Sequence, residues 1–186
     1  MKYLLILTII TLLFSCKNTQ QEISQGYTYA RDDFKGLNRL SALSDGPLDG
    51  QPFGSFRQVN LDIFVDSTDS NQEMWLVVIY QAEDWQFISP GESLILMVDG
   101  ERIPMFTKNG SLLTRQYVGG LLPLREEAWY PLSSEQLKQM AAAKHIAVRI
   151  YGNNGTLTRS ISNKQIQYYD MFLQKVVYHY GLQEFL

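Results

Sequence analysis

Few side chains in this 186-residue chain could carry reaction chemistry, and their spacing limits what that chemistry could be. Cys16 is the only thiol, so it has no intramolecular disulfide partner and no second cysteine with which to hold a metal. The two imidazoles, His145 and His179, lie far apart in sequence, and each sits where the end of a helix is expected. The carboxylates of Asp32/Asp33 and Glu126/Glu127 are adjacent in sequence, the usual look of a solvated surface rather than of an acid–base pair. Asp66-Ser-Thr-Asp-Ser-Asn-Gln-Glu73 offers oxygen ligands at Asp66, Asp69, Asn71 and Glu73. It lacks the central glycine and flanking helices of a calcium loop, so a solvated hairpin loop is expected there. Asp45-Gly46 and Asp49-Gly50 are read as turns for the same reason. No nucleophile elbow, phosphate-binding loop, dinucleotide fingerprint or His-Glu-x-x-His stands in the chain. The expectation is therefore no catalytic residue, no cofactor and no metal, and a protein that is not an enzyme.

The lone cysteine has a different chemistry open to it. Lys2 precedes an apolar run, Leu4–Leu13, that is too short to span a bilayer comfortably but suits the core of a signal peptide. The run closes on Leu13-Phe14-Ser15-Cys16: an aliphatic residue, a variable one, a small one and Cys. This tetrapeptide resembles the lipobox of bacterial lipoproteins, with Phe14 departing from the commonest residue at its position. The resemblance implies cleavage before Cys16, lipid attachment to its thiol and palmitate-type acylation of the new amine. An ordinary signal peptide with an incidental cysteine is the alternative. Two or three acyl chains, at about 0.8 kcal/mol per buried CH₂, hold a protein on a membrane where one chain does not. Residues 1–15 are thus the signal peptide, and residues 16–26 the lipidated cysteine and a polar tether. Lys17 is not the Asp that keeps many lipoproteins in the inner membrane, so by analogy the outer membrane of a Gram-negative cell envelope is the expected location.

Composition narrows the partners. The chain is 45% hydrophobic and 12% aromatic, ample for a core, with a formal net charge of −3. A mildly acidic chain without a Lys/Arg cluster is a poor match for nucleic acid, since phosphate binding needs concentrated positive charge. The partners expected are the membrane, through the anchor, and another envelope protein.

Residues 27–186 are expected to form one α+β domain: an antiparallel sheet or sandwich of about six strands with two main helices, 133–144 and 163–180. Tyr27–Ala30 is read as an edge strand, and Asp32–Leu43 as a short helix from the near-threefold spacing of Phe34, Leu37, Leu40 and Leu43. Ser44–Gly54 is a loop, punctuated by Gly and Pro. Arg57–Val65 alternates as a half-buried strand, and Met74–Tyr80 is apolar throughout, as a strand buried on both faces would be. Asp99-Gly100 marks a tight hairpin that pairs Val98 with Glu101, Leu96 with Ile103 and Leu94 with Met105, with Pro104 placing the second arm at a sheet edge. Phe106–Glu127 shows no clear period and is the expected binding loop. Ser133-x-x-Gln136 and Ser162-x-x-Gln165 are capping boxes that open the two helices. Leu137, Met140, Ala141 and Lys144 form the stripe of the first; Ile166, Tyr169, Leu173, Val176 and Tyr180 form that of the second, with Gly181 as its cap. Between them Ile146–Tyr151 and Thr156–Ile161 form a hairpin around Gly152-Asn-Asn-Gly155.

Glu-Ser-Leu-Ile-Leu-Met-Val-Asp-Gly-Glu-Arg (92–102), the Ser-Ser-Glu-Gln-Leu-Lys-Gln-Met-Ala helix start (133–141) and Ile-Ala-Val-Arg-Ile-Tyr-Gly (146–152) together look like a recurrent, uncharacterised type of bacterial secreted domain. That resemblance covers the second half of the chain and brings no activity with it. Three functions stay open: a structural or binding lipoprotein; a small-molecule or glycan binder using Trp75, Trp85, Trp129 or the Tyr-rich last helix; and an enzyme built around His145 or His179.

Overall fold

The computed structural model describes residues 27–44, 47–49, 57–115 and 124–180, with the side chains of 27 and 176–180 excepted. The signal peptide, Cys16, the tether, most of the Ser44–Gly54 loop, residues 116–123 and Gly181 lie outside the described residues.

Among the described residues ten strands form two antiparallel sheets. The larger comprises β1 (Tyr27–Asp32), β2 (Leu37–Ala42), β3 (Gln58–Ser67), β4 (Gln72–Ala82), β8 (Leu124–Pro131) and β7 (Ser111–Arg115), in that order across the sheet. The smaller runs β10 (Gly155–Ile161), β9 (Ile146–Gly152), β5 (Gly91–Val98), β6 (Glu101–Thr107). Two helices, α1 (Ser134–Ala142) and α2 (Asn163–Tyr180), complete an α+β arrangement. Both sheets and both helices contribute to one apolar core, from Leu61, Leu76 and Tyr130 through Leu94, Leu96 and Val148 to Leu137, Ile166 and Phe172.

Period-two burial explains most of this. In β3, Val59, Leu61, Ile63 and Val65 turn to the core as their alternation requires. In β4, Leu76–Tyr80 are buried on both faces, as their unbroken apolar run requires, while Met74 and Trp75 are half-buried and Glu73 is exposed. On its outer side Phe64 and Trp129 stack with ring centroids 5.2 Å apart, from the strands flanking Val77. The β5–β6 register is the one the turn dictates, Val98 opposite Glu101, Leu96 opposite Ile103 and Leu94 opposite Met105. Asp99 and Gly100 both have positive φ, the two-residue geometry that matches strand twist. Pro104, lacking an N–H, lies on the edge strand β6.

Three expectations are corrected. The strands number ten rather than about six, because β2, β7 and β8 were hidden in segments read as a helix or as irregular. The helix expected over Asp32–Leu43 is instead the β1–β2 hairpin: Asp32 accepts from the backbone N–H of Phe34 and Lys35, Gly36 takes φ +59, and Phe34 stands fully exposed at the tip. That local turn bonding competes with a helix and wins because β2 can pair with β3 on its other side. The first helix ends at Ala142, short of Lys144.

Lys144 and His145 are therefore not dipole-complementing residues of the last turn. Their backbone N–H groups donate to the Asp99 carboxylate, at 3.0 Å from Lys144 and 2.8 Å from His145. The turn residue of one hairpin thereby fixes the route from α1 into β9, and Asp99 N–H returns a bond to the His145 carbonyl. Those backbone donors hold the Asp99 carboxyl below its ordinary value of 3.8. A depressed folded-state pKa stabilises the fold above the unfolded value and loses that contribution as pH falls through the folded value. Asp99→Asn, which also tolerates positive φ, should therefore lose less stability than wild type between pH 7 and pH 3 in urea melts. Parallel losses would refute the assignment.

Candidate functional site

β8 carries the least expected residue of the chain. Leu124, Glu126, Ala128 and Tyr130 alternate toward the core, so Glu126 is fully buried while its neighbour Glu127 faces outward and pairs with Arg125 at 2.7 Å. The two carboxylates are thus not a solvated surface pair. Glu126 Oε1 accepts from the backbone N–H of Gln86 and, at 2.9 Å, of Phe87; Oε2 accepts from the Ile88 N–H at 3.0 Å and from the Ser111 hydroxyl at 2.9 Å. Four donors converge on an acceptor-only group, which satisfies it without a cation.

The segment so held, residues 83–90, carries the chain from β4 in one sheet to β5 in the other. It also receives the β9–β10 turn: Asn153 and Asn154 N–H donate to the carbonyls of Phe87 and Gln86, and Asn154 Nδ2 donates to the Trp85 carbonyl. A Cβ on Gly152 would collide with the Gln86 carbonyl, so the close approach needs glycine there. A second link between the sheets is the Ser93–Tyr130 hydroxyl pair, 3.0 Å apart, where burial pushes the Tyr130 phenol up to about 12.

The other candidates separate. His145 is exposed and lines an open depression of about 480 Å³ between the helices with Lys144, Asn163, Gln167 and Asp170. The side chain of His179 lies outside the described residues, as does Cys16. Asp32 closes the β1–β2 turn and Asp33 pairs with Arg31 at 2.5 Å. Asp66 takes a bidentate bond from Arg39, which raises the Arg39 pKa, while Thr68 and Asn71 close the β3–β4 turn. Among the described residues no three His, Cys, Asp or Glu side chains gather as a metal ion would need. No helix among them is long and apolar enough to cross a membrane. Among its described residues the segment 106–127 is mostly strand, with the end of β6, all of β7 and the start of β8.

Two surfaces have the composition of binding sites. On the outer face of the larger sheet, Trp75 meets Trp129 edge-on with centroids 6.3 Å apart, and Arg39 lies 5.2 and 5.5 Å from the Phe64 and Trp129 rings. Trp85 is elsewhere, beside Phe87. On the outer face of the smaller sheet an open depression of about 420 Å³ is floored by Ile95 and Met97 and framed by Arg102, Arg149, Tyr151 and Thr158. Phe106, 56% exposed, projects from the neighbouring edge strand. Arg102 is paired with Glu92, whereas Arg149 has only the Thr158 hydroxyl at 3.4 Å.

No family model matches the chain, no curated protein matches its sequence, and no solved structure matches its fold. Glu126→Gln sets an amide donor against backbone donors and should lower stability by about 2–4 kcal/mol, with faster amide exchange at Gln86, Phe87 and Ile88. Glu127→Gln, on the other face of the strand, should cost below about 1 kcal/mol. Equal effects of the two would show that Glu126 does not hold the crossover.

Proposed function

We propose that this protein is a lipid-anchored component of the bacterial envelope, a non-enzymatic domain on a tether that docks another envelope protein. The anchor rests on the lipobox-like Leu13-Phe14-Ser15-Cys16 and the apolar run before it. Docking rests on one observation, the outer face of the smaller sheet, where Met97, Phe106 and Tyr151 lie among arginines. Met, Phe, Tyr and Arg are the residue types enriched where proteins meet. Among the described residues no carboxylate pairs with Arg149, so the partner's surface should bring one, with an apolar side chain to seat over Ile95 and Met97. The most buried carboxylate, Glu126, is engaged in holding the crossover, in keeping with a structural rather than a catalytic use.

A second reading, a small-molecule or glycan binder, draws on the clustering of Trp75, Trp129 and Phe64 on one sheet face. A membrane-fraction crosslinking pull-down separates the two. Wild type should take up a palmitate analogue and capture a specific envelope protein; Cys16→Ser should do neither. Met97→Glu with Phe106→Glu should keep the label and lose the partner. Labelling of Cys16→Ser would end the anchor reading, and undiminished capture by the Met97/Phe106 variant would end the docking reading.

A further inference from the structure

Arg159 is the one charged group of the core faces whose surroundings do not explain it. Alternation along β10, with Ile161 also inward, turns Arg159 toward the interior, where it is 6% exposed. A guanidinium offers five N–H donors in a planar fork. Among the described residues Arg159 makes one hydrogen bond, from Nη1 to the Thr158 carbonyl at 2.8 Å, and its fully shielded Nε has no partner. Among the described residues no carboxylate pairs with it, and Asp84 is held by Arg57 at 2.6 Å and by the Tyr80 hydroxyl at 3.0 Å. Burial lowers the Arg159 pKa, the field of Tyr80 opposes that shift, and the field of Arg57 adds to it.

A cation buried without an acid is strongly disfavoured, and the field of another arginine disfavours it further. Packing does not require it, since Leu157 occupies the equivalent inward position two residues earlier on β10. Arg57 is about half exposed and gives the pair an open side. We propose that Arg159 and Arg57, beside Tyr80, form a binding site for a ligand's oxyanion, a carboxylate or a phosphate. Arg159 supplies its unmet Nε donor, and Arg57, half exposed and shared with Asp84, the second guanidinium. Guanidinium forks match both oxyanions bidentately, so the shared chemistry is what the site specifies.

The site is separate from the docking face on the smaller sheet, and its test is independent of that reading. Purified full-length protein in detergent would be titrated with inorganic phosphate and, separately, with succinate, each against sodium chloride of equal ionic strength. The readouts are thermal unfolding and the NMR signal of the Arg159 Nε proton. Either oxyanion should raise the unfolding temperature in a saturable way and shift that proton; which one does so identifies the source. Arg57→Gln, at an exposed position, should weaken the apparent affinity at least tenfold. Arg159→Met should abolish the response while unfolding, without ligand, at or above the wild-type temperature. Met97→Glu with Phe106→Glu should bind the anion as wild type does. No response beyond chloride, or an equal response in wild type, Arg57→Gln and Arg159→Met, would overturn the proposal.

Discussion

A carboxylate placed where water cannot reach must find donors in the protein, and Glu126 finds them in two other segments. Its oxygens accept from the backbone of residues 86–88 and from the Ser111 hydroxyl, while Glu126 itself belongs to β8. The same short crossover offers its carbonyls to the β9–β10 turn, so both sheets and the strand β7 are referred to one side chain. Removing that carboxylate would leave buried N–H groups without acceptors, a larger penalty than the loss of an equal number of surface bonds. The crossover is a loop by sequence but a fixed element by its bonding.

The domain repeats this solution on smaller scales. Asp99 binds the backbone where α1 hands over to β9, Asp62 accepts the Ser44 N–H, and Ser93 meets Tyr130 between the sheets. Burial raises the Asp62 pKa, opposed by its bonds to Ser44. In each case a polar group is matched to a group on a distant segment, which specifies one arrangement of otherwise similar strands. Arg159 departs from that pattern, as does the apolar and cationic outer face of the smaller sheet. Local departures from an otherwise consistent design are where function is expected.

The hairpins around Asp99-Gly100 and Asn153-Asn154, the strands β3 and β4, and both helix starts were legible because their signals are local: a turn, a period and a cap. The capping box of α1 forms with both reciprocal bonds. The β1–β2 hairpin was not legible, since three-residue spacing of Phe34, Leu37 and Leu40 is compatible with a helix until β3 offers β2 a partner. β8 could have been found from Leu124, Glu126, Ala128 and Tyr130, a clean period of two in which a charged residue holds a core position. A charge there masks the period because ionised side chains are seldom fully buried.

From sequence alone came the apolar run Leu4–Leu13 and lone Cys16, the α+β class, the register of the central hairpin and the start of each helix. All depend on residues within a few positions of one another, where backbone geometry and side-chain bonding act without long-range closure. The tertiary structure decided the strand count, the division into two sheets, the buried roles of Glu126 and Arg159 and the gathering of Trp75 with Trp129. Those depend on contacts between residues tens of positions apart. Whether a carboxylate or guanidinium lies in water or in a core is fixed by what the distant chain brings against it, not by its neighbours in sequence.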